Sequence, residues 1–255
     1  MKPFSATGIA GLVFVLSFSS HPAFAENQQV SYWQGGYAGF SLGAERSEAD
    51  PTAEVKSQGY FTGDDFALVN PRASDDIEDN HAQGQLFWGY NHQSGNLVYG
   101  LEADLSFSDF KEKNAAGPVE YNTAPGDTFN VTTRVESDWA VNLKARLGYA
   151  HKKSLFYIAA GPSLRKFEYD FLFTDTFQPQ RVNEDQDKWK LGWTASAGIE
   201  HRLMADWTVR LEYRYSAYNN VFDSDSTTLD YPNDGFEHEL DLRSNSITLG
   251  ISRPL

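Results

Sequence analysis

The sequence predicts an all-β fold, an eight-stranded antiparallel up-and-down transmembrane β-barrel with short periplasmic turns and long outer loops. Three observations predict it. Apolar residues recur at every second position in segment after segment, the connections between segments alternate between short and long, and aromatic residues gather at segment ends.

The N-terminal segment stands apart from the strands. Met1 and Lys2 give a positive start, Gly8 to Phe18 a short apolar run, and Pro22-Ala23-Phe24-Ala25 a small-x-small ending. That is the order of a secretory signal peptide at 1–25, with cleavage expected after Ala25 and one barrel domain over 26–255. The apolar run is too short to cross a bilayer as a helix.

Eight periodic segments follow. Gly36 to Glu45 puts Ala38, Phe40, Leu42 and Ala44 on one face, and Gln83 to His92 groups Leu86, Trp88 and Tyr90. Leu97 to Phe107 sets Leu97, Tyr99, Leu101, Ala103, Leu105 and Phe107 against Glu102, Asp104 and Ser106. Trp139 to Tyr149 sets Val141, Leu143, Ala145 and Leu147 against Asn142, Lys144 and Arg146. Leu155 to Phe167 comes after a basic turn, and Trp189 to Ile199 alternates Leu191, Trp193, Ala195 and Ala197 with Lys190, Thr194 and Ser196. Trp207 to Tyr215 alternates without a break, with Val209, Leu211 and Tyr213 opposite Arg210, Glu212 and Arg214. The last segment runs from about Leu240 to Leu255, and its phase slips near Arg243 to Ser246 as it would at a bulge. A tilted spanning strand needs roughly 9–11 residues, which these segments supply.

Ser94-Gly95-Asn96, His151-Lys152-Lys153 and Met204-Ala205-Asp206 read as tight turns. Long polar segments at about 48–82, 111–134, 172–187 and 221–237 read as the outer loops. An extra hairpin within 53–70 would make the barrel ten-stranded. If 150 opposes 155, 92 opposes 97 and 203 opposes 207, the polar faces match in every hairpin, as register demands. Pairing 102 with 146 then sets 104 against 144, opposite charges in both cases.

Alternation alone does not say which face meets lipid, because a lipocalin is an up-and-down barrel with its apolar face inside. Three features favour the membrane. Glu102, Asp104, Lys144, Arg146, Glu200, Arg210, Glu212 and Arg214 share the polar faces with opposite-sign partners in reach, so they can form a lumen charge network. Gly39, Gly43, Gly89, Gly100, Gly148, Gly161, Gly192 and Gly198 fall on the same faces, where a narrow lumen needs small residues. Trp88, Tyr90, Trp139, Tyr149, Trp189, Trp193 and Trp207 sit where interfacial girdles would.

The stretches GGYAGFSLGA at 35–44, GQLFWGYNHQSGNLVYGLEADLS at 84–106, DWAVNLKARLGYA at 138–150, LFYIAAG at 155–161 and GWTASAGIEHRLMADWTVRLEYRYSAY at 192–218 carry a resemblance. The chain resembles the small porin-like outer-membrane β-barrels of alphaproteobacteria, relatives of the OmpA transmembrane domain. The resemblance implies an outer-membrane location, contact with lipid and lipopolysaccharide, and insertion by the barrel-assembly machinery. Family members commonly end in an aromatic residue, whereas this chain ends Arg253-Pro254-Leu255, with Leu255 in phase with Ile247, Leu249 and Ile251. Fold and place follow from such a likeness more directly than activity.

The chemistry has several readings. The lumen charges either line a narrow conducting path or fill the barrel and hold it together, and an eight-stranded interior is only just wide enough for side chains. The roles expected are therefore structural and surface-interactive, with a narrow porin, a true diffusion porin, or an adhesin acting through acidic loops as the alternatives. The net charge of −14 argues against nucleic acid as a partner. The absence of cysteine excludes thiolate zinc sites and thiol nucleophiles. Asp223-Ser-Asp225-Ser-Thr227 starts like a calcium loop but lacks the glycine and glutamate that complete one, so neither metal nor cofactor is expected. Of the histidines, only His81 and His238 fall near the outer rim, where His238 could meet Ser224 or Ser226 and Asp223; no motif fixes a catalytic geometry, and no enzyme is expected. Loop aromatics such as Tyr60-Phe61 and Tyr231-Pro232 suit either a host or other surface ligand or the packing of the loop bases against one another.

Overall fold

Eight strands pair in chain order and close on themselves in a computed structural model that describes residues 32–255, apart from 58, 178–180, 204–205 and 229. The expected signal peptide and its cleavage site lie outside the described residues. The strands are β1 (Gly35–Lys56), β2 (Ile77–Ser94), β3 (Leu97–Glu120), β4 (Thr128–His151), β5 (Ser154–Asp175), β6 (Arg181–Arg202), β7 (Thr208–Thr227) and β8 (Gly235–Pro254). One helix, α1 (Gly63–Ala73), lies between β1 and β2.

The turns at one end are short because their residues accept a left-handed backbone: Gly95 has φ +59° and Lys152 φ +54°. Pairing through the β4–β5 and β6–β7 turns follows the expected register, with Ala150 opposite Leu155 and Glu200 opposite Arg210. The β2–β3 turn is two residues tighter than expected, with Ser94 opposite Leu97 and His92 opposite Tyr99. Between β3 and β4, Glu102 faces Lys144 and Gly100 faces Arg146, rather than Glu102 facing Arg146. Both shifts are even, so every side chain keeps its face.

The larger departure is at the other end. Much of the segments read as outer loops is strand: β1 runs on to Lys56, β3 to Glu120, β5 to Asp175 and β7 to Thr227. The strands are 18–24 residues long, about twice what a bilayer needs. The extra length has the same period but reversed polarity. In the lower half, Leu42, Leu101, Ile158, Leu191 and Leu249 point outward and are exposed, while charged and small residues point in. In the upper half, Phe129, Val131, Phe167, Phe171, Phe173, Phe236 and Leu240 point in and are buried. The reversal explains the apparent slip in β8. Its register against β1 is unbroken from Gly35-side to outer end, and Leu240, Leu242, Ser244, Ser246 and Thr248 all point inward. Only the kind of residue that the lumen asks for changes.

Residues 53–70 do not form a hairpin. Residues 53–56 finish β1, and α1 follows, started by Thr62, whose N–H donates to the Asp65 carboxylate at 2.8 Å, and by acidic residues in the first turn. Val69 and Ala73 bury its inner side over the upper core.

Above the membrane band the wall divides. β2 and β3 pair only from Gln83 and Ser108 downward, and β6 and β7 only from Trp193 and Ala217 downward. The upper half is thus two curved sheets, β3-β4-β5-β6 and β7-β8-β1-β2, clasping an aromatic core.

Closure depends on close backbone approach between β1 and β8. A Cβ at Gly43 would sit 1.9 Å from the Ile247 carbonyl oxygen. Gly43→Val is therefore expected to cost at least about 1–3 kcal/mol through forced separation of the closing strands. The check is the temperature at which the detergent-extracted barrel loses its unheated gel mobility, which should fall.

Candidate functional site

The lower lumen holds the eight charged residues singled out from the sequence. β3 supplies Glu102 and Asp104, β4 Lys144 and Arg146, β6 Glu200, and β7 Arg210, Glu212 and Arg214. All eight are buried. Four are acidic and four basic, so the set is formally neutral. Glu102 sits at its centre. It accepts from Arg210 at 2.6 Å, lies 3.1 Å from the Lys144 ammonium, and accepts the Tyr37 hydroxyl at 2.7 Å. Glu200 joins Arg146 at 2.7 Å and Arg210 at 2.6 Å. Lys144 also reaches Asp104 at 3.1 Å, and Arg214 lies 3.0 Å from Glu212 and 3.3 Å from Asp104.

Residues that charge patterning missed complete the network. Tyr37 takes a hydrogen bond from Arg146 at 2.9 Å, and Tyr157 donates to Glu212 at 2.7 Å. Asn142 donates to Asp104 at 2.7 Å. The guanidinium of Arg210 lies 3.8 Å from the Phe87 ring centroid, and that of Arg146 lies 3.8 Å from Tyr157. Tyr37 and Phe87 were legible in principle, since each is in phase with the inward glycines of its strand.

The lumen is filled at each level. At the periplasmic end Trp33 is buried against Val98, Ala150 and Leu155, and its backbone N–H donates to Gln93 Oε1 at 3.0 Å. Small gaps among the described residues of the lower lumen include one of about 30 Å³ beside Tyr37 and Arg202 and one of about 10 Å³ beside Glu45 and Arg214. The first has room for a few waters and the second for about one. Above the network, Glu45 pairs with Arg165 at 3.0 Å, and Arg165 donates to Ser137 at 2.6 Å. Higher still, the aromatic core and α1 close the outer end.

The aromatic residues expected at the interfaces all point outward. Tyr90, Tyr149 and Trp207 lie towards the short turns, and Trp139, Trp189 and Trp193 at the outer edge of the apolar band, with Trp88 between. Trp139 and Trp189 meet edge to face at 4.6 Å.

His238 does meet Ser226, with Nε2 2.7 Å from Oγ, but not Asp223 or Ser224 as its ring partner. Its Nδ1 lies 3.1 Å from the Tyr169 hydroxyl. The ring is wholly buried between Phe171 and Phe236. Loss of solvent around it lowers its pKa from 6.5 to about 4, slightly opposed by the Asp225 carboxylate. Burial and the neighbouring Asp175 carboxylate push the Tyr121 phenol well up. Asp223 to Thr227 lies within β7, where successive side chains face opposite ways and do not converge on an ion.

Comparison with known proteins agrees with this architecture. The family model described as outer membrane protein beta-barrel domain matches residues 10–253. The chain is 30% identical over 168 residues to a 22 kDa outer membrane protein of Rhizobium leguminosarum bv. viciae, 66% of this chain and 64% of that protein. It is 27% identical over 230 residues to the 25 kDa outer-membrane immunogenic protein of Brucella abortus biovar 1, 90% of this chain and 86% of that one. Among solved structures, the outer membrane protease OmpT of Escherichia coli is 8% identical with a TM-score of 0.49, covering 90% of this chain and 100% of that one. The chain belongs to the outer membrane protein β-barrel family, and its place is the bacterial outer membrane.

Proposed function

We propose that this protein is a closed, non-enzymatic barrel that braces the outer membrane and holds a rigid platform outside it. The observation that carries the reading is the neutral set of eight buried lumen charges, each within reach of opposite charge. Paired charges in a side-chain-filled interior stiffen a barrel and leave no aqueous path. The outward tryptophans and tyrosines act as girdles at the two lipid–water interfaces, and lipid and lipopolysaccharide are the surrounding partners. The N-terminal segment is removed after Ala25, and the barrel-assembly machinery inserts the barrel. The buried state of His238 and Ser226 supports the non-enzymatic reading. The word immunogenic in the Brucella relatives' name is in keeping with a part that faces outward.

Planar-bilayer recording tests this. The refolded mature chain is expected to give no steady single-channel openings. Steady openings that diminish in Arg146→Ala or Arg210→Ala would establish the diffusion-porin alternative instead. N-terminal sequencing of the protein from outer-membrane fractions is expected to begin at Glu26; any other start overturns the cleavage assignment.

A further inference from the structure

The two gaps in the upper wall are treated differently. At the β1–β2/β3 gap, α1 supplies partners to the free edge of β1: Ala53 N–H donates to Ser74 Oγ at 2.9 Å and Val55 N–H to Asn70 Oδ1 at 3.0 Å. Asn114 of β3 reaches over to Asp75 at 2.7 Å. At the β6–β7 gap, no element among the described residues does this.

The cause of the second gap lies in β7. Between Tyr218 and Phe222 it carries extra residues against Leu242 and Leu240 of β8, and Asn220 takes φ +50°. That bulge turns β7 towards β8 and away from β6. Above Trp193, β6 pairs with β5 alone, so every second residue of 181–192 directs its N–H and C=O into the seam. A strand edge of this kind is a template for another strand, and barrels ordinarily abolish it by closing.

The outward borders of the seam are mostly acidic, with Arg181 the basic residue among them. Asp185 and Asp187 are exposed on β6, and Asp223 and Asp225 on β7. Asp187 is paired with Lys166 and Asp225 with Lys56, but Asp185 and Asp223 have no ion pair among the described residues. Asp223 lies opposite Glu239 and Asp225 opposite Glu237, like charges across a strand pair. On the inward side of the seam β6 presents Val182, Glu184, Gln186, Lys188 and Lys190, while Tyr218 and Phe222 of β7 are already buried, with the Lys188 ammonium reaching across to 5.6 Å from the Phe222 ring.

We infer that the β6–β7 seam is a docking site for an extended, basic segment of polypeptide, which adds to the free edge of β6 as a further strand outside the membrane. Backbone hydrogen bonds would supply the affinity, and outward lysine or arginine would meet the acidic borders.

The test uses the refolded mature chain in detergent and a capped nine-residue peptide of alternating lysine and valine. Its control is the same peptide with alternate backbone nitrogens methylated, which keeps charge and composition but removes donors. The plain peptide is expected to bind saturably, about tenfold more tightly than the control, as loss of a few backbone hydrogen bonds requires. Amide exchange within 181–192 should be fast in the free protein on the seam side and slow on binding. Asp185→Asn with Asp223→Asn should weaken binding by about tenfold at low salt and by less at high salt. Equal binding of both peptides, or none, overturns the inference. So does slow exchange throughout 181–192 in the free protein at all dilutions, which would mean a closed seam. Protection that grows with protein concentration alone would assign the edge to a second copy and likewise overturn it.

Discussion

Glu102→Ala is expected to destabilise the barrel by about 3–5 kcal/mol, the usual cost of removing one partner from a buried ion pair. The carboxylate touches Arg210, Lys144 and the Tyr37 hydroxyl, all buried, and Arg146 lies 3.8 Å away. Its loss leaves a formally neutral set with one surplus positive charge in a site with no room for bulk water. Urea unfolding in lipid vesicles measures the effect. A charge-balanced pair, Glu102→Leu with Lys144→Met, should recover a large part of the loss, because it removes one charge of each sign and restores neutrality. Equal losses in the single and double variants would mean that shape, rather than charge balance, decides stability at this level.

Acid is expected to loosen the outer half through His238. In the folded chain its pKa is lowered to about 4, against 6.5 when unfolded. Above 6.5 the imidazole is neutral in both states and its contribution to stability is fully present. As pH falls from 6.5 towards 4 the unfolded chain takes up a proton that the folded one refuses, and stability falls, by roughly 3 kcal/mol in all. Below about 4 the loss is complete. The ring is packed by Phe171 and Phe236 and bonded by Ser226 and Tyr169, with Asp225 the charged group acting on it. Unfolding midpoints at pH 7 and pH 4 are the measurement, on the natural chain and on His238→Gln, which keeps polar contacts but cannot titrate in this range. The natural chain should lose more on acidification. Equal losses would show that other groups, the many carboxylates first, account for the acid response.

These expectations rest on two levels of the barrel that differ in how legible they were. The lower half is written in the sequence. Leu97 to Phe107, Trp139 to Tyr149 and Trp207 to Tyr215 alternate so regularly that strand, face and the inward direction of Glu102, Lys144 and Arg210 follow from parity alone. A register error of two residues, as at Ser94 and Leu97, leaves that parity intact. The upper half was legible only in part. Phe167, Tyr169, Phe171 and Phe173 continue the alternation into a stretch rich in acid, but polar outward neighbours give it the composition of a loop. What marks it as strand is the same period with the opposite preference inside.

By itself, then, the sequence determined the eight strands of the membrane band, the order implied by alternating short and long connections, the outward aromatic band and the identity of the eight inward charges, while a ten-stranded count stayed open until α1 was seen in place of a hairpin. These are local properties, set by a period of two and by turn residues such as Gly95. Hairpin register already set Glu200 against Arg210, but tertiary structure alone decided the contacts across the barrel, such as Glu102 with Arg210 from a distant strand. It also decided that the outer segments stand as two sheets around an aromatic core, that α1 covers one edge, and that past the bulge at Asn220 the other has no strand partner among the described residues. The physical reason is common to all of these. Contacts across a closed barrel join residues about a hundred positions apart, and only closure of the ring brings them within hydrogen-bonding distance.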